Sequence, residues 1–279
     1  MTALLSVVLA AGCSPAEQPA SPGASGVQSA HSSAAPLASS APPAASAAAS
    51  ASTPAPPRAP VDGMAKIPGG KLKMGRDDGK KSEAPAHEVT VKDFFIDTRE
   101  VTVAAYRECV AAKKCPEPTD DEFCNFHKKD RDNHPINCVD FKSAEAFCAF
   151  AGKRLPTEQE WERAARGDDG RKYPWGAEEP NMDLLCWKRL KEKLGTCEVS
   201  SRPKGASPYG VLDMAGNVNE WTSTKYCPYA TPSCETEEHS GRGGSWDYSN
   251  ADNVTTTTRA GGKPTHARDL LGLRCAKDG

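Results

Sequence analysis

The stretch "GKRLPTEQEWERAARG", Gly152 to Gly167, carries a complete helix signal. Thr157 and Glu160 stand at capping-box spacing, so each side chain can satisfy a backbone N–H of the first turn. Gly167 supplies the stop, and Trp161, Ala164 and Ala165 fall on one face at helical spacing. Immediately upstream, "SAEAFCAFAGKRLP" predicts a second helix with Ser143 as N-cap, Ala144, Phe147, Cys148 and Ala151 on its apolar face, and Gly152 at its end. A third, nearer the start, opens at Thr102, with Val103, Tyr106, Arg107 and Val110 at helical spacing. Cys109 lies in it and Cys115 just beyond.

Before these helices the signal has the shorter period of strands. In "MAKIPGGKLKMGRDDG", Met64 to Gly79, Ile67, Leu72 and Met74 are separated by Pro-Gly-Gly turn chemistry. In "HEVTVKDFFIDTREVT", Val89 and Val91 alternate with polar residues before the run Phe94 to Ile96, which predicts a strand pair. Thr119 to Cys138 has no period and reads as a long loop pinned by its cysteines. After Gly167 the chain is rich in Gly, Pro, Ser and Asn, with short apolar runs only. The predicted class is α+β, with little regular secondary structure and a disulfide framework that compensates for it.

The chain divides by composition into three parts. Residues 14–60 are almost wholly Ala, Ser, Pro and Gly, too poor in large apolar side chains to offset the entropy of ordering, and read as a disordered tether. Residues 61–279 are the folded domain. Residues 1–13 hold the apolar run "LLSVVLAAG", too short to span a bilayer, ending at Cys13. Small residues directly before a cysteine resemble a lipoprotein signal, in which Cys13 is lipidated and anchors an exported protein to a membrane facing the periplasm or cell surface. An ordinary secretory signal is the competing reading. The net charge of −2 includes no block of one sign, which speaks against a nucleic-acid footprint.

Setting Cys13 aside, ten cysteines remain, an even number that fits an oxidising compartment. A zinc site is the alternative, but there is no C-x-x-C pair and the histidines stand singly. Proximity pairs Cys109 with Cys115, Cys186 with Cys197 and Cys227 with Cys234.

Eight pieces occur in order: "IPGG", "FFIDTREVT", "HPINCVD", "GKRLPTEQEWERAARG", "YPWG", "YGVLDMAGNVNEW", "RGGSW" and "LGLRC". Together they resemble the sulfatase-modifying factor domain, the family of formylglycine-generating enzymes, from about Ala65 to Ala276. The resemblance implies a C-type-lectin-related α+β fold. It also implies a bridge from Cys148, before "GKRLP", to Cys275 in the terminal "RC", which leaves Cys124 with Cys138.

Active members of the family oxidise a substrate cysteine to formylglycine with copper(I) and oxygen, using two thiolates just after G-G-S. Here those positions hold Tyr248 and Asn253, so of the implied pocket only Ser245 carries over. Copper is therefore not expected, since a soft ion needs soft ligands. The resemblance also implies a structural calcium site at Asp213, Gly216, Val218 and Glu220, two by side-chain oxygen and two by backbone carbonyl, a donor set that suits a hard cation. The exposed-looking aromatics Tyr226, Tyr229, Trp246 and Tyr248 are candidates for a binding cleft. The expected function is recognition of a ligand or protein of the cell envelope. The alternative is a divergent oxidoreductase or protein-modifying enzyme on the same scaffold.

Overall fold

The computed structural model describes residues 63–188 and 195–279. The signal ending at Cys13 and the tether over 14–60 lie outside the described residues.

Among the described residues, nine short strands and three α-helices make an α+β domain of few regular elements. Strand β1 (Met64–Ile67) and β2 (Gly70–Met74) flank the Pro68-Gly69 turn. Next come β3 (His87–Val91) and β4 (Phe94–Asp97), then helices α1 (Val103–Ala111), α2 (Phe141–Phe150) and α3 (Glu158–Arg166). Strands β5 (Asn219–Lys225), β6 (His239–Arg242), β7 (Arg259–Gly262), β8 (Leu271–Gly272) and β9 (Ala276–Asp278) complete the fold. They form three sheets, ordered β1-β4-β9, β2-β3 and β7-β6-β5-β8. In the first, β4 lies between β1 and the last strand, β9, with Ile96 opposite both Ala65 and Ala276.

The helix starts follow side-chain capping. Thr102 accepts from the Ala105 N–H, and at α3 Thr157 and Glu160 form both halves of the capping box. At α2 the expectation is corrected: Asp140, not Ser143, is the N-cap, accepting from the Ser143 N–H at 2.8 Å. An aspartate carboxylate three residues upstream outcompetes the serine hydroxyl, and Ser143 is buried in the first turn. Ala151 lies exposed beyond the helix rather than on its apolar face.

Two further readings change. β3 and β4 do not pair with each other; β3 pairs with β2 and β4 with β1, in separate sheets. The region after Gly167, read as irregular, contains the four-stranded sheet. Its strands are short, and β6 and β7, "HSGR" and "RAGG", hold no large apolar side chain for periodicity to detect.

Helix α3 is buried on its polar side as well as its apolar one. Arg163 donates to the carbonyls of Pro68, Gly69 and Lys71, and Arg166 to those of Lys73 and Gly75. These guanidiniums give backbone oxygens at and after the "IPGG" turn side-chain partners, which ties α3 to β2. Gly70 sits against Arg163, where an added Cβ would lie 3.1 Å from Nη2 with φ at +145°.

Five disulfides tie the framework: Cys109–Cys115, Cys124–Cys138, Cys148–Cys275, Cys186–Cys197 and Cys227–Cys234. Cys148–Cys275 joins α2 to the chain end inside a core containing Tyr106, Phe147, Trp221 and Leu273. A second core packs Trp161 of α3 against Ile67, Phe94, Ile96 and Met214. A third gathers Tyr173, Leu185, Trp187 and Val254. Among the described residues no helix is long and apolar enough to cross a membrane.

Candidate functional site

The segment "RGGSWDYSNADN", Arg242 to Asn253, is held from below by α3. Arg242 is fully buried and donates to Glu162 at 2.6 Å, to Glu158 at 3.3 Å and to the carbonyls of Thr256 and Thr257. Arg259 also donates to Glu158, at 2.7 Å from Nε and 2.8 Å from Nη2. Two motifs separate in sequence, "TEQEWERAARG" and "RGGSW", are thus the two halves of one buried ion network. Charges this deep persist only when paired and hydrogen-bonded, so the network fixes where the segment starts.

The next two residues turn the chain. Gly243 and Gly244 have φ of 100° and 77°, and a Cβ on Gly244 would meet the Asn253 carbonyl at 2.3 Å and the Tyr248 ring at 3.2 Å. Only glycine fits there. The same contact brings the Asn253 backbone and the Tyr248 ring against Gly244. Trp246 then donates its backbone N–H to Asn217 O, and Gly244 donates to Asn219 Oδ1.

The three carried-over positions part company beyond this. Tyr248 is half-buried and lines a cavity of about 170 Å³ together with Asn219, Trp221, His266 and Arg268, over a floor that includes Gly241, Gly261 and Gly262. Asn253 is not in that wall; its side-chain oxygen accepts from Lys80 Nζ. Ser245 is fully buried, absent from the wall, and its hydroxyl has no partner. All ten cysteines of the domain are in disulfides, so no thiolate stands near the segment. The residues present do not fit copper(I). The cavity wall instead holds a tyrosine, an asparagine, a histidine and an arginine beside Trp221, Leu270 and Leu271.

Of the other aromatics singled out, Tyr226 and Tyr229 carry the Arg259 guanidinium on their faces, 4.6 and 4.1 Å from the ring centroids. Trp246 is buried and lines a different cavity. His87 makes a local hydrogen bond to Pro85 O, and His134 a long-range one with Thr196 Oγ1. Sequence reasoning did not single out Arg268, although Arg268 follows "THA" in an unpatterned loop where nothing marks a cavity rim.

The implied calcium residues come together. Asp213, with φ of 57°, accepts from the Ser200 N–H at 2.6 Å. Glu220 accepts from Arg274 Nε and Nη2 at 2.6 and 2.7 Å and from Trp161 Nε1 at 2.7 Å. Glu100, which the sequence reading missed, accepts from Asn217 Nδ2 and the Val218 N–H. Three buried carboxylates therefore face one buried guanidinium, Arg274. Burial first, then Asp213 and Glu220, push the Glu100 carboxyl well above the usual range, and burial also raises Asp213. No three carboxylate, imidazole or thiol groups among the described residues are placed to hold a metal unaided. Both Glu220 oxygens are engaged by Arg274 and Trp161, and the Asp213 carboxylate by the Ser200 N–H.

Comparison with known proteins places these observations. Over 76% of this chain and 87% of its own length, the inactive C-alpha-formylglycine-generating enzyme 2 of Bos taurus is 35% identical. The formylglycine-generating enzyme of Mycobacterium tuberculosis is 32% identical over 60% of this chain and 75% of that one. Among solved structures, PvdO from Pseudomonas aeruginosa superposes with a TM-score of 0.66 at 23% identity, covering 77% of this chain and 94% of PvdO. Treponema denticola variable protein 1 superposes at 0.62 and 22%, covering 77% and 95%. Both show the fold alone. Residues 49–279 match the family model of the sulfatase-modifying factor enzyme 1-like domain, and the chain belongs to that family.

Proposed function

We propose that this chain is a non-catalytic binding module of the cell envelope, tethered by a lipid on Cys13 and recognising a ligand or protein partner through the cavity beside Tyr248. The observation that carries this reading is chemical: where active relatives would hold copper(I) on two thiolates, Tyr248 lines the cavity and the Asn253 carboxamide is tied to Lys80. A phenol and a carboxamide are hard, hydrogen-bonding groups, and neither supplies a thiolate for copper(I) or a redox centre. That a 35% identical relative is named inactive supports the same reading. Five disulfides are compatible with export and with a rigid scaffold for recognition.

Calcium belongs to this proposal as a structural ion. Asp213, Glu220 and the Gly216 and Val218 carbonyls would hold it, and the ion would offset the surplus of carboxylates around Arg274.

The test is affinity capture from envelope extracts with the wild-type domain and the Tyr248→Ala variant. The proposal expects a component retained by the wild type and lost with the variant. Equal retention by both proteins contradicts it.

A further inference from the structure

Alternation along β6 and β7 gives their sheet two different faces. Arg242 and Arg259, opposite each other in register, point to the glutamates of α3, and Gly261 shares their face, its Cβ direction leading to Tyr226 and the Glu238 carboxylate. Gly241, Ala260 and Gly262 take the other face, under the cavity beside Tyr248. Gly262 is required there by Trp221, whose ring would lie 2.7 Å from an added Cβ. Gly241 is not required in this way: an added Cβ would meet nothing nearer than 3.7 Å, and its φ lies outside the left-handed region. A glycine inside a strand with no such need leaves room for the close approach of something else.

The polar groups around that room are donors in want of an acceptor. Asn219 is 7% exposed, and its Oδ1 accepts the Gly244 N–H at 3.1 Å, which fixes the carboxamide and turns its NH2 group the other way. No described residue accepts from that NH2 group, which stays accessible where Asn219 lines the cavity. Among the described residues the Arg268 guanidinium makes no ion pair or hydrogen bond, and the Tyr248 hydroxyl and His266 ring have no hydrogen-bond partner. No carboxylate lines the cavity. Asp247 and Asp269, chain neighbours of Tyr248 and Arg268, lie outside its wall, and Glu238 is on the α3 face.

Resting on the recognition reading of this cavity, we infer that its ligand presents a carboxylate on a short aliphatic stem, the carboxylate met by the Asn219 NH2 group and the Arg268 guanidinium and the stem lying over Gly241 against Leu270 and Leu271. A guanidinium gives a carboxylate charge-assisted hydrogen bonds, and the carboxamide adds a neutral donor from a second direction. The cavity, about 170 Å³, is smaller than a site for a drug-sized ligand, so it holds a small acid or the C-terminal end of a peptide.

Two-dimensional amide spectra of the full chain test it, with N-acetyl-leucine as the peptide end, isovalerate as the small acid and N-acetyl-leucinamide as the neutral control. Asn219→Asp, which keeps the acceptor for the Gly244 N–H, assigns the Asn219 side-chain resonances. An acid is expected to shift those resonances, the tighter of the two naming the source, with the amide at least about tenfold weaker than N-acetyl-leucine. Gly241→Ala, whose Cβ has ordinary contact distances, and Arg268→Gln, at an exposed position, are each expected to weaken the acid at least about tenfold while the spectrum stays dispersed. Equal affinity for N-acetyl-leucine and its amide, wild-type affinity in either variant, or no shift at millimolar acid overturns the inference. The Tyr248→Ala capture comparison decides the recognition reading separately, so failure of the one is distinguishable from failure of the other.

Discussion

Replacing Cys148 and Cys275 together with alanine removes the longest covalent loop of the domain. The bridge closes 127 residues, and the chain-entropy relation gives roughly 5 kcal/mol at 25 °C for a loop of that length. The same relation gives about 2.4 kcal/mol for Cys227–Cys234, which closes 7. For a domain of this size 1 kcal/mol moves the melting temperature by about 2 to 4 °C, so the first variant should fall by roughly 10 to 20 °C and the second by roughly 5 to 10 °C. Packing acts in the same direction, because Cys148 and Cys275 are fully buried in the core with Phe147 and Leu273. Differential scanning calorimetry of both variants under identical non-reducing conditions measures the difference. A Cys148/Cys275 variant that melts no lower than the Cys227/Cys234 variant refutes the reasoning.

Calcium is expected to raise the melting temperature of the wild-type domain and chelation to lower it, with Asp213→Ala insensitive to both; an unchanged wild type on chelation contradicts the site. Glu220→Gln leaves Arg274 buried without its ion pair and should cost about 3 to 5 kcal/mol in urea unfolding. His134 is held at about 4, below the usual histidine value, so the fold favours its neutral form. Its contribution is complete above about pH 6.5 and is lost as pH falls toward 4. At full weight that is about 3 kcal/mol, and solvent screening at this half-buried ring reduces it to roughly 1 to 2 kcal/mol. His134→Asn should therefore lose less stability than the wild type between neutral pH and pH 4, and parallel curves would contradict the assignment.

Where local chemistry decides local structure, the sequence was readable. Thr157, Glu160 and Gly167 delimit α3 because capping involves neighbours along the chain. The bridge pairs followed from proximity and from one resemblance. What escaped was set by tertiary contact. β6 and β7 carry glycine and arginine rather than a periodic apolar pattern, because their Arg242 and Arg259 face buried glutamates of α3 and not an oily core. Ser143 lost the cap at α2 to Asp140 through competition between two adjacent candidates that propensity ranks nearly equal.

The site divided along the same line. Positions 248 and 253 were identified by the family resemblance, which places the thiolates just after Gly243-Gly244-Ser245, and their loss by residue type. The divergence of Asn253 toward Lys80 was not, since it depends on a side chain 173 residues away. Glu100 and Arg274 sat within quoted motifs, yet nothing local shows that they share a buried cluster with Asp213 and Glu220. Their role appears only when β9 pairs with β4 and brings Glu100, just after β4, and Arg274, just before β9, together.

On the proposed reading this member of the family does not make formylglycine, because Tyr248 and Asn253 stand where active members hold thiolates. Incubating the purified, copper-treated domain with oxygen and a peptide carrying a C-x-P-x-R motif, and following the peptide by mass spectrometry, tests it most directly. The expected result is no aldehyde above a copper-free control. Copper-dependent conversion of the peptide cysteine to the aldehyde, abolished in a Ser245→Ala variant, would contradict the account and restore catalysis to this site.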